Sequence, residues 1–364
     1  MKIGVPRGLL YHSYGPFMDA FFEALPVDVE ISQKTDRAVL DKGTAACIDE
    51  ACLPVKVFCG HVETLREKCD KIVVPRIMNC EYGESLCPKL NGLPELMGGG
   101  DDLVFTDRID LKNENALFRS LYRPCRQLGM KRRDIKNAFH EGMEAWRQRS
   151  GGFCQTEYNR RIFLAGHSYN VYDSFVNMNL VEKLNRMGIG IITEEAVDRV
   201  YKEQYVADLI KKPFWHNFTA LYGAARYLED QKMVDGIICL SSFSCGTDSF
   251  TMEMIKNSTK IPLLVLKLDE MTGEAGFNTR LEAFCEVICN LSETGDAQRQ
   301  SGENAMADRR MPDTLDLCEL HEQSKEASAA CAVPAALGQC EPLESWNQSR
   351  CADSQPVQKE DDLS

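Results

Sequence analysis

The stretch VDGIICLSSFSCGTDSF, residues 234–250, carries the pattern that decides the fold class. Its first part, Val234 to Ser242, predicts a β-strand, and a helix is predicted directly after it, from Thr247 to Ser258. The next apolar segment, IPLLVLKLD at 261–269, predicts another strand. A strand, a helix and a second strand in quick succession are the building unit of a parallel α/β sheet.

The same alternation extends through both halves of the chain. Upstream of the opening stretch, RIFLAGH and GIGIITE predict two more strands, with a helix over Ser174–Met187 between them. In the first half, four segments predict strands: KIGVP (2–6), VDVEIS (27–32), KIVVPRI (71–77) and LVFTDRID (103–110). A long charged helix is predicted over residues 113–149, and a final helix from about Gly276 to Leu291.

This pattern predicts an α/β protein with two Rossmann-like parallel-sheet domains and a cleft between them. The N-terminal domain is predicted over residues 1–150 and the C-terminal domain over 151–291, with the junction at the Gly-rich segment SGGF. From Ser292 onward the periodicity stops and polar, Ala and Glu residues dominate. Residues 292–364 are therefore predicted to form a disordered acidic tail.

Composition and charge narrow the class of protein. With 44% apolar and 27% charged residues the chain is typical of globular proteins, and it holds no apolar run long enough to span a membrane. The N-terminus lacks the apolar core of a secretory signal, which predicts a cytoplasmic protein. The net charge of −13 argues against nucleic acid as a partner, although the predicted tail contributes −9 of it, from 15 acidic and 6 basic residues.

Sixteen cysteines are many for a chain of this kind. Disulfides are not expected in the cytoplasm, which leaves buried structural thiols and metal ligands as the two interpretations. Three cysteines stand out by position. Cys52 precedes a predicted helix, Cys87 follows the KIVVPRI strand in the tripeptide Cys-Pro-Lys, and Cys245 follows the VDGIICLSS strand.

Ligands of open α/β sheets bind outside the carboxyl ends of the strands, where two of these cysteines are predicted to lie. Helix starts at all three would direct backbone N–H groups, which favour anions, toward a common site. Lys56 and Lys89 are expected to lower the thiol pKa values nearby. Spacing alone leaves a metal site and idle thiols both open, because the sequence contains no Cys-x-x-Cys.

Other polar residues allow two interpretations each. His167, at the end of a strand, either faces the cleft or belongs to a capped turn with Asn170 and Asp173. His61 is expected to be a hydrogen-bonded core histidine, and Cys285 and Cys289 to be core residues. The charged segment after the last strand either lines the cleft or forms a structural network between Arg280 and carboxylates: its other members are Asp269, Glu270, Thr272 and Glu274.

Six motifs in register resemble a known family. They are KIGVPRGLLYHSYGPF, IDEACLPVKVFCGHV, VPRI with CPKLNGLPEL, GHSYNVYD, DGIICLSSFSCGTDS and DEMTGEAGFNTRLEAF. Together, from Met1 to about Leu291, they resemble acyl-CoA dehydratase activase-related proteins. That family is similar to the iron–sulfur subunits of 2-hydroxyacyl-CoA dehydratases and benzoyl-CoA reductases, and to double-cubane cluster proteins.

The resemblance implies a four-iron four-sulfur cluster, or a larger derivative, bound by Cys52, Cys87 and Cys245. It implies low-potential electron transfer or reduction, with an ATP-dependent activase as the electron donor and an acyl-CoA or another small molecule as the substrate. The alternative is a non-catalytic redox carrier or accessory protein of a larger dehydratase. A homodimer is implied by the double-cubane resemblance alone.

Two features depart from the family pattern. The last motif usually contains Asp-Glu-His-Thr, whereas this chain has Met271 in place of the histidine. The chain also has no phosphate-binding Gly-rich loop with a lysine, so an ATP-driven step is expected to come from a separate partner. Three thiolates would leave one iron open, and Cys80 is a weak candidate for that position.

Overall fold

The computed structural model describes residues 1–80, 84–149, 151–211 and 214–290. The predicted tail lies outside the described residues. In the first half the elements are β1 (Lys2–Val5), α1 (Tyr11–Glu23), β2 (Asp28–Ile31), α2 (Arg37–Ala46), α3 (Leu53–Arg66), β3 (Lys71–Val73), β4 (Arg76–Asn79), α4 (Pro88–Asn91), α5 (Leu93–Leu96), β5 (Leu103–Val104), β6 (Arg108–Asp110), α6 (Glu114–Gln127) and α7 (Arg132–Arg147).

The second half begins again with a strand. Its elements are β7 (Arg160–Gly166), α8 (Ser168–Val171), α9 (Leu180–Arg186), β8 (Ile189–Ile192), a 3₁₀ turn (Glu194–Ala196), α10 (Arg199–Ala207), α11 (His216–Asp230), β9 (Gly236–Ser242), α12 (Gly246–Ser258), β10 (Leu263–Leu268) and α13 (Glu274–Asn290). The predicted α/β class is confirmed.

Both halves build the same kind of sheet. The first is ordered β2-β1-β3-β5 and the second β8-β7-β9-β10, and every strand pair in them is parallel. In each sheet the first strand of the half lies in the middle, so the chain reverses its winding direction between β1 and β3 and between β7 and β9. Ligands bind at the carboxyl ends of strands at such switch points.

Two predicted strands are each divided in the structure. KIVVPRI forms β3 in the first sheet and β4 in a separate two-stranded sheet with β6, because Pro75 has no N–H to donate to a ladder. LVFTDRID likewise splits into β5 and β6, at Phe105, whose φ of 62° lies in the left-handed region. The strand prediction was right in location and wrong in continuity.

Two predicted helices are also shorter than expected. The helix over residues 113–149 is broken at Gly129, whose φ of 83° ends α6 before α7 begins. The helix predicted over Ser174–Met187 begins only at Leu180, because Met178 and Asn179 take left-handed conformations.

The cores of the two halves are linked by the α2–α3 hairpin. Leu40, Leu53 and Val57 from this hairpin are buried in the same apolar cluster as the strands of the second sheet. The two helices touch through glycines: a Cβ added to Gly43 would lie 1.9 Å from the carbonyl oxygen of Lys56. Cys52 lies directly before α3 in this hairpin and packs against the core of the first half. The predicted division into two domains stays a prediction.

No helix among the described residues is long and apolar enough to cross a membrane.

Candidate functional site

Each of the three predicted site cysteines lies at the start of a helix. Cys52 is the N-cap of α3, Cys87 the N-cap of α4 and Cys245 the N-cap of α12, and none of the three thiols caps its helix by a hydrogen bond. The predicted helix starts are therefore confirmed. These thiols are therefore not used to cap their own helices.

The charges of Cys245 and Cys87 act on Cys52. The pKa of the Cys52 thiol is raised to about 11, first because burial disfavours the thiolate and then through these two negative charges. The pKa of Tyr169 is raised well above its ordinary value by burial and by the charges of Asp248 and all three cysteines. Tyr169 is thus an electrostatic neighbour of each of the three cysteines.

The two predicted lysines have different surroundings. Lys56 is buried and its Nζ lies 2.5 Å from Oε1 of Glu270, so its charge is neutralised by an ion pair. Lys89 donates to the backbone carbonyl of Glu50 at 3.2 Å, and its charge lowers the pKa of Cys52. The expected effect of Lys89 on Cys52 is thus present, but the larger effect of burial leaves the pKa of this thiol raised.

A buried carboxylate anchors the segment that leads to Cys87. Glu84 accepts two hydrogen bonds from the guanidinium of Arg199, at 2.7 and 3.1 Å, and one from Thr219 Oγ1 at 3.0 Å. Its Oε2 also lies 3.0 Å from Nδ1 of His216. Burial alone would raise the pKa of Glu84, but hydrogen bonds from His216 and Arg199 lower it to about 2. This network ties the Cys87 segment to α10 and α11.

At the second switch point, His167 and Asp248 adjoin Cys245. His167 directly follows β7, and Asp248 lies in the first turn of α12, where the helix dipole favours a negative charge. Nε2 of His167 lies 2.8 Å from Oδ1 of Asp248. One possible ligand atom from each of His167, Cys245 and Asp248 lies within 4.8 Å of the others. We call these three residues the second-sheet cluster.

The imidazole of His167 is held on several sides. Its ring stacks on Tyr169 with the centroids 4.7 Å apart, and Nδ2 of Asn217 lies 3.3 Å from Nε2. Burial alone would lower the pKa of His167, but the charge and hydrogen bond of Asp248, followed by those of Cys245, raise it to about 10. The imidazolium is therefore the favoured form beside these two groups.

One atom of the cluster lacks a partner. Asp248 is fully buried, and its Oδ2 has no hydrogen-bond partner among the residues that the structure describes. The backbone before Cys245 is also unusual, since Ser244 has a φ of 63°. Unsatisfied buried carboxylate atoms and left-handed non-glycine residues are costly, and they concentrate at functional sites.

Sequence reasoning missed Asp248, Asn217 and Tyr169. A signal existed only for Asp248, which follows Cys245 by three residues and so lies within the first turn of the same helix. The alternatives for His167 are both partly right: it faces the site, while Asp173 accepts from the backbone N–H groups of Phe175 and Val176 in the predicted turn.

The remaining predictions have mixed outcomes. His61 is a buried, hydrogen-bonded core histidine, as expected. Cys285 is buried in the core, whereas Cys289 is exposed. Cys80 is packed in the core of the first half.

The predicted network around Arg280 is wrong. Arg280 donates to the backbone oxygen of Val265 at 2.6 Å, while Glu270 and Glu274 pair with Lys56 and Lys183. Asp269 accepts from Oγ1 of Thr272 within its own turn. Met271, at the position of the family histidine, is 86% exposed.

A second pair of thiols was not singled out from the sequence. Cys47 ends α2 and Cys59 lies in the middle of α3, and the two thiols hydrogen-bond each other. That bond from Cys59, the N–H of Ile48 and the charges of Lys56 and Lys89 together lower the pKa of Cys47 to about 7, although burial opposes the shift. The pKa of Cys59 is raised, first by the same hydrogen bond.

The donor chemistry of the site fits an iron–sulfur cluster. Cysteine thiolates hold such clusters, and here three come from separate elements. Helix starts beside Cys52 and Cys245 supply a favourable field for a negatively charged group. Oδ2 of Asp248 is a buried hydrogen-bond acceptor beside Cys245 that no described residue satisfies.

Fold and site together define a class: an α/β protein of two parallel sheets, with cysteines at the starts of three helices. The chain belongs to the family of the CoA enzyme activase uncharacterised domain (DUF2229), whose family model matches residues 2–197. The resemblance to activase-related proteins is therefore confirmed. The matched range contains Cys52, Cys87 and His167, and the further similarity to iron–sulfur dehydratase subunits stays a prediction.

Comparison with curated proteins gave no match. Among solved structures, a glucose-galactose binding protein, GanP, from Geobacillus stearothermophilus is 12% identical, with a TM-score of 0.19, over 74% of this chain and 94% of that one. A D-lactate dehydrogenase from Sporolactobacillus sp. is also 12% identical, with a TM-score of 0.13, over 82% and 98%. Scores this low support no argument about fold or function.

Proposed function

We propose that this protein binds a four-iron four-sulfur cluster, or a larger derivative, through Cys52, Cys87 and Cys245, and uses it in low-potential electron transfer or reduction. One observation supports the proposal: three cysteines remote in sequence begin three helices, and all three act electrostatically on the same residue, Tyr169. Such a common neighbour is expected of ligands to one group.

The cluster would supply one-electron chemistry, and the chain's own residues would hold and shield it. The start of α3 brings Cys52, the segment anchored by Glu84 brings Cys87, and the end of β9 brings Cys245. Tyr169 is half-buried and interacts electrostatically with all three cysteines, so its ring would limit the access of water to a bound cluster. The Lys56–Glu270 pair adds polar groups near Cys52 without adding net charge.

The electron donor that we propose is a separate ATP-dependent activase, because the family is described by its relation to a CoA enzyme activase. An acyl-CoA is the proposed substrate class for the same reason. The alternative function is a non-catalytic redox carrier for a larger dehydratase, and it differs in whether the protein itself converts the substrate.

Anaerobic purification with quantified iron and acid-labile sulfide tests the cluster. We expect about equal amounts of the two elements, and loss of most of both in Cys52→Ala, Cys87→Ala and Cys245→Ala. Cys239→Ala is the matched control for Cys245→Ala, since Cys239 lies on β9, the strand that precedes Cys245, and is fully buried in the core. A protein without iron, or equal losses in the control, would refute the proposal.

A single-turnover experiment separates enzyme from carrier. The protein is reduced, freed of the reductant and mixed with a 2-hydroxyacyl-CoA. Substrate conversion by the protein alone supports the enzyme. Oxidation only after addition of a dehydratase, with no conversion before it, supports the carrier.

A further inference from the structure

The three-cysteine site leaves the His167–Asp248 pair without a role. The pair adjoins Cys245, where β7 and β9 end side by side at the second switch point. It is buried: Asp248 has no exposed surface, and the His167 side chain is 15% exposed. A buried ion pair is seldom a net gain in stability, so its presence calls for another explanation.

The histidine is fixed in orientation. Asp248 bonds its Nε2, Tyr169 stacks on the ring and Asn217 approaches both His167 and Asp248, at 3.3 and 3.4 Å. A carboxylate that orients an imidazole toward a metal centre is a common arrangement around metal sites. The ring is therefore prepared for contact with one particular neighbour.

That neighbour is the sulfur of Cys245. Ligand atoms of His167, Cys245 and Asp248 lie within 4.8 Å of one another, so the imidazole and the thiol are direct neighbours. This proximity favours contact of the imidazole with the sulfur itself.

The hydrogen-bond direction fits this role. A carboxylate only accepts, so the 2.8 Å contact with Oδ1 of Asp248 places a proton on Nε2 of His167. The pair thus holds an N–H donor close to the Cys245 sulfur. Hydrogen bonds to the sulfurs of a cluster stabilise its reduced, more negative state and raise its potential.

We propose that His167 is a positioning residue that donates an N–H hydrogen bond to the sulfur of Cys245 when this sulfur binds the cluster, and that Asp248 holds the imidazole in place. This inference rests on the proposed function. It means that residues at the second switch point control the reduction potential of the cluster.

The test compares four loaded proteins: wild type, His167→Gln, Asp248→Asn and His12→Gln. His12 is the matched control, because it is another partly buried histidine beside an aspartate, 3.8 Å from Asp173. The glutamine in His167→Gln retains an amide donor for Asp248, which limits the destabilisation. Iron and sulfide are quantified first, and the midpoint potential is then measured by titration followed by EPR.

We expect full cluster content in all four proteins. His167→Gln should decrease the equilibrium constant of one-electron reduction about tenfold. This decrease corresponds to a midpoint potential lower by about 59 mV. An exchangeable proton coupled to the cluster in wild type, seen by ENDOR in H₂O and D₂O, should disappear in His167→Gln and weaken in Asp248→Asn. His12→Gln should match wild type in both measurements.

The outcomes that overturn the inference differ from those that overturn the proposed function. An unchanged potential in His167→Gln refutes the donor role, and a strong ¹⁴N coupling of a directly bound nitrogen would make His167 a ligand instead. One zinc per chain without sulfide would refute the cluster itself, since His167, Cys245 and Asp248 could then share a single ion.

Discussion

The two sheets have the same strand order, yet the polar groups at their carboxyl ends differ in kind. Near β1 and β2 the groups form a closed chain, which we call the first-sheet cluster: Ser32, Thr35, His61 and Asp173. Near β7 and β9 the second-sheet cluster contains a thiol and a carboxylate oxygen that has no partner among the described residues. The same strand order thus occurs with a fully satisfied hydrogen-bond network at one sheet and with an unsatisfied oxygen at the other.

Hydrogen-bond directions explain why the first-sheet cluster is closed. Thr35 Oγ1 donates to Asp173 Oδ2 at 2.5 Å, so it accepts from Nε2 of His61, 3.1 Å away. Nδ1 of His61 then accepts from Ser32, at 3.0 Å. This assignment requires a neutral imidazole, in accord with burial, which lowers the pKa of His61 to about 4. Every polar atom of the ring is used internally, which indicates a structural role.

The two histidines therefore have opposite electrostatics. His61 is held neutral by burial, whereas His167 is held as a cation by Asp248 and Cys245. The comparison teaches that the position of a histidine at a strand end does not decide its role. The role of the histidine depends on its partners. They either satisfy both ring nitrogens, as at His61, or place a charged imidazole beside a thiol, as at His167.

The largest effect is expected where the two sheets are joined. Gly43→Ala should destabilise the protein by about 3 kcal/mol or more, because its Cβ would collide with the backbone oxygen of Lys56 at 1.9 Å, and helices must separate to admit it. Urea unfolding measures the change. Gly246→Ala is the control, since a Cβ there meets nothing within 4 Å. Equal stability of Gly43→Ala and wild type would disprove the tight α2–α3 contact.

The next effect concerns the Glu84 network. Glu84→Gln should cost about 3 kcal/mol at pH 7, because Arg199 and His216 lose a buried counter-charge. The control is Glu203→Gln, which removes an exposed carboxylate from the same Arg199 and should change stability by less than about 0.5 kcal/mol.

Lowering the pH should weaken the Glu84 network. The folded pKa of Glu84, about 2, lies below the ordinary value of 4.5, so the stabilisation is present above pH 4.5 and is lost as the pH falls toward 2. Unfolding curves of wild type and Glu84→Gln should therefore converge between pH 4.5 and 2. A constant gap between them over that range would contradict this account.

A smaller effect on the free energy of unfolding is expected from His61. The folded pKa of His61 lies below the value of 6.5, so the folded state resists protonation, and its stabilisation is present above pH 6.5 and lost as the pH falls toward 4. From pH 7.5 to pH 5 we expect wild type to lose about 2 kcal/mol through this residue. His61→Gln should lack that loss, while His140→Gln, on the exposed face of α7, should retain it.

The same variant sharpens the comparison of the two clusters. If the first-sheet cluster is structural only, His61→Gln should bind iron and sulfide as wild type does once it is folded. A selective loss of iron from folded His61→Gln would mean that both sheet ends serve the same site.

Much of this fold could be predicted from the sequence, because buried strands and helix starts are local patterns. KIVVPRI is predicted as a strand and contains the proline, Pro75, at which β3 and β4 separate. The neighbour with which each part pairs depends on the whole fold, and no local pattern encodes that pairing. The helix starts at Cys52, Cys87 and Cys245 were predicted because each follows from nearby residues. Pairing across the fold was not: Lys56 meets Glu270, 214 positions away, and His167 meets Asp248 on another element.

The mildest test concerns the Cys47–Cys59 pair, which lies on the hairpin between the two sheets. At a pKa of about 7 the half-exposed Cys47 is half ionised at neutral pH, whereas an ordinary thiol of pKa about 8.5 is only a few per cent thiolate. Cys47 should therefore be alkylated by iodoacetamide about tenfold faster at pH 7 than Cys154, whose pKa is raised by burial. Peptide mapping of briefly labelled protein measures both rates.

Cys59→Ala should slow the alkylation of Cys47 toward the ordinary rate, since the hydrogen bond from Cys59 contributes most to the lowered pKa of Cys47. If Cys47 keeps its reactivity in that variant, the lysines rather than the second thiol control it, and the hairpin pair has no chemistry of its own.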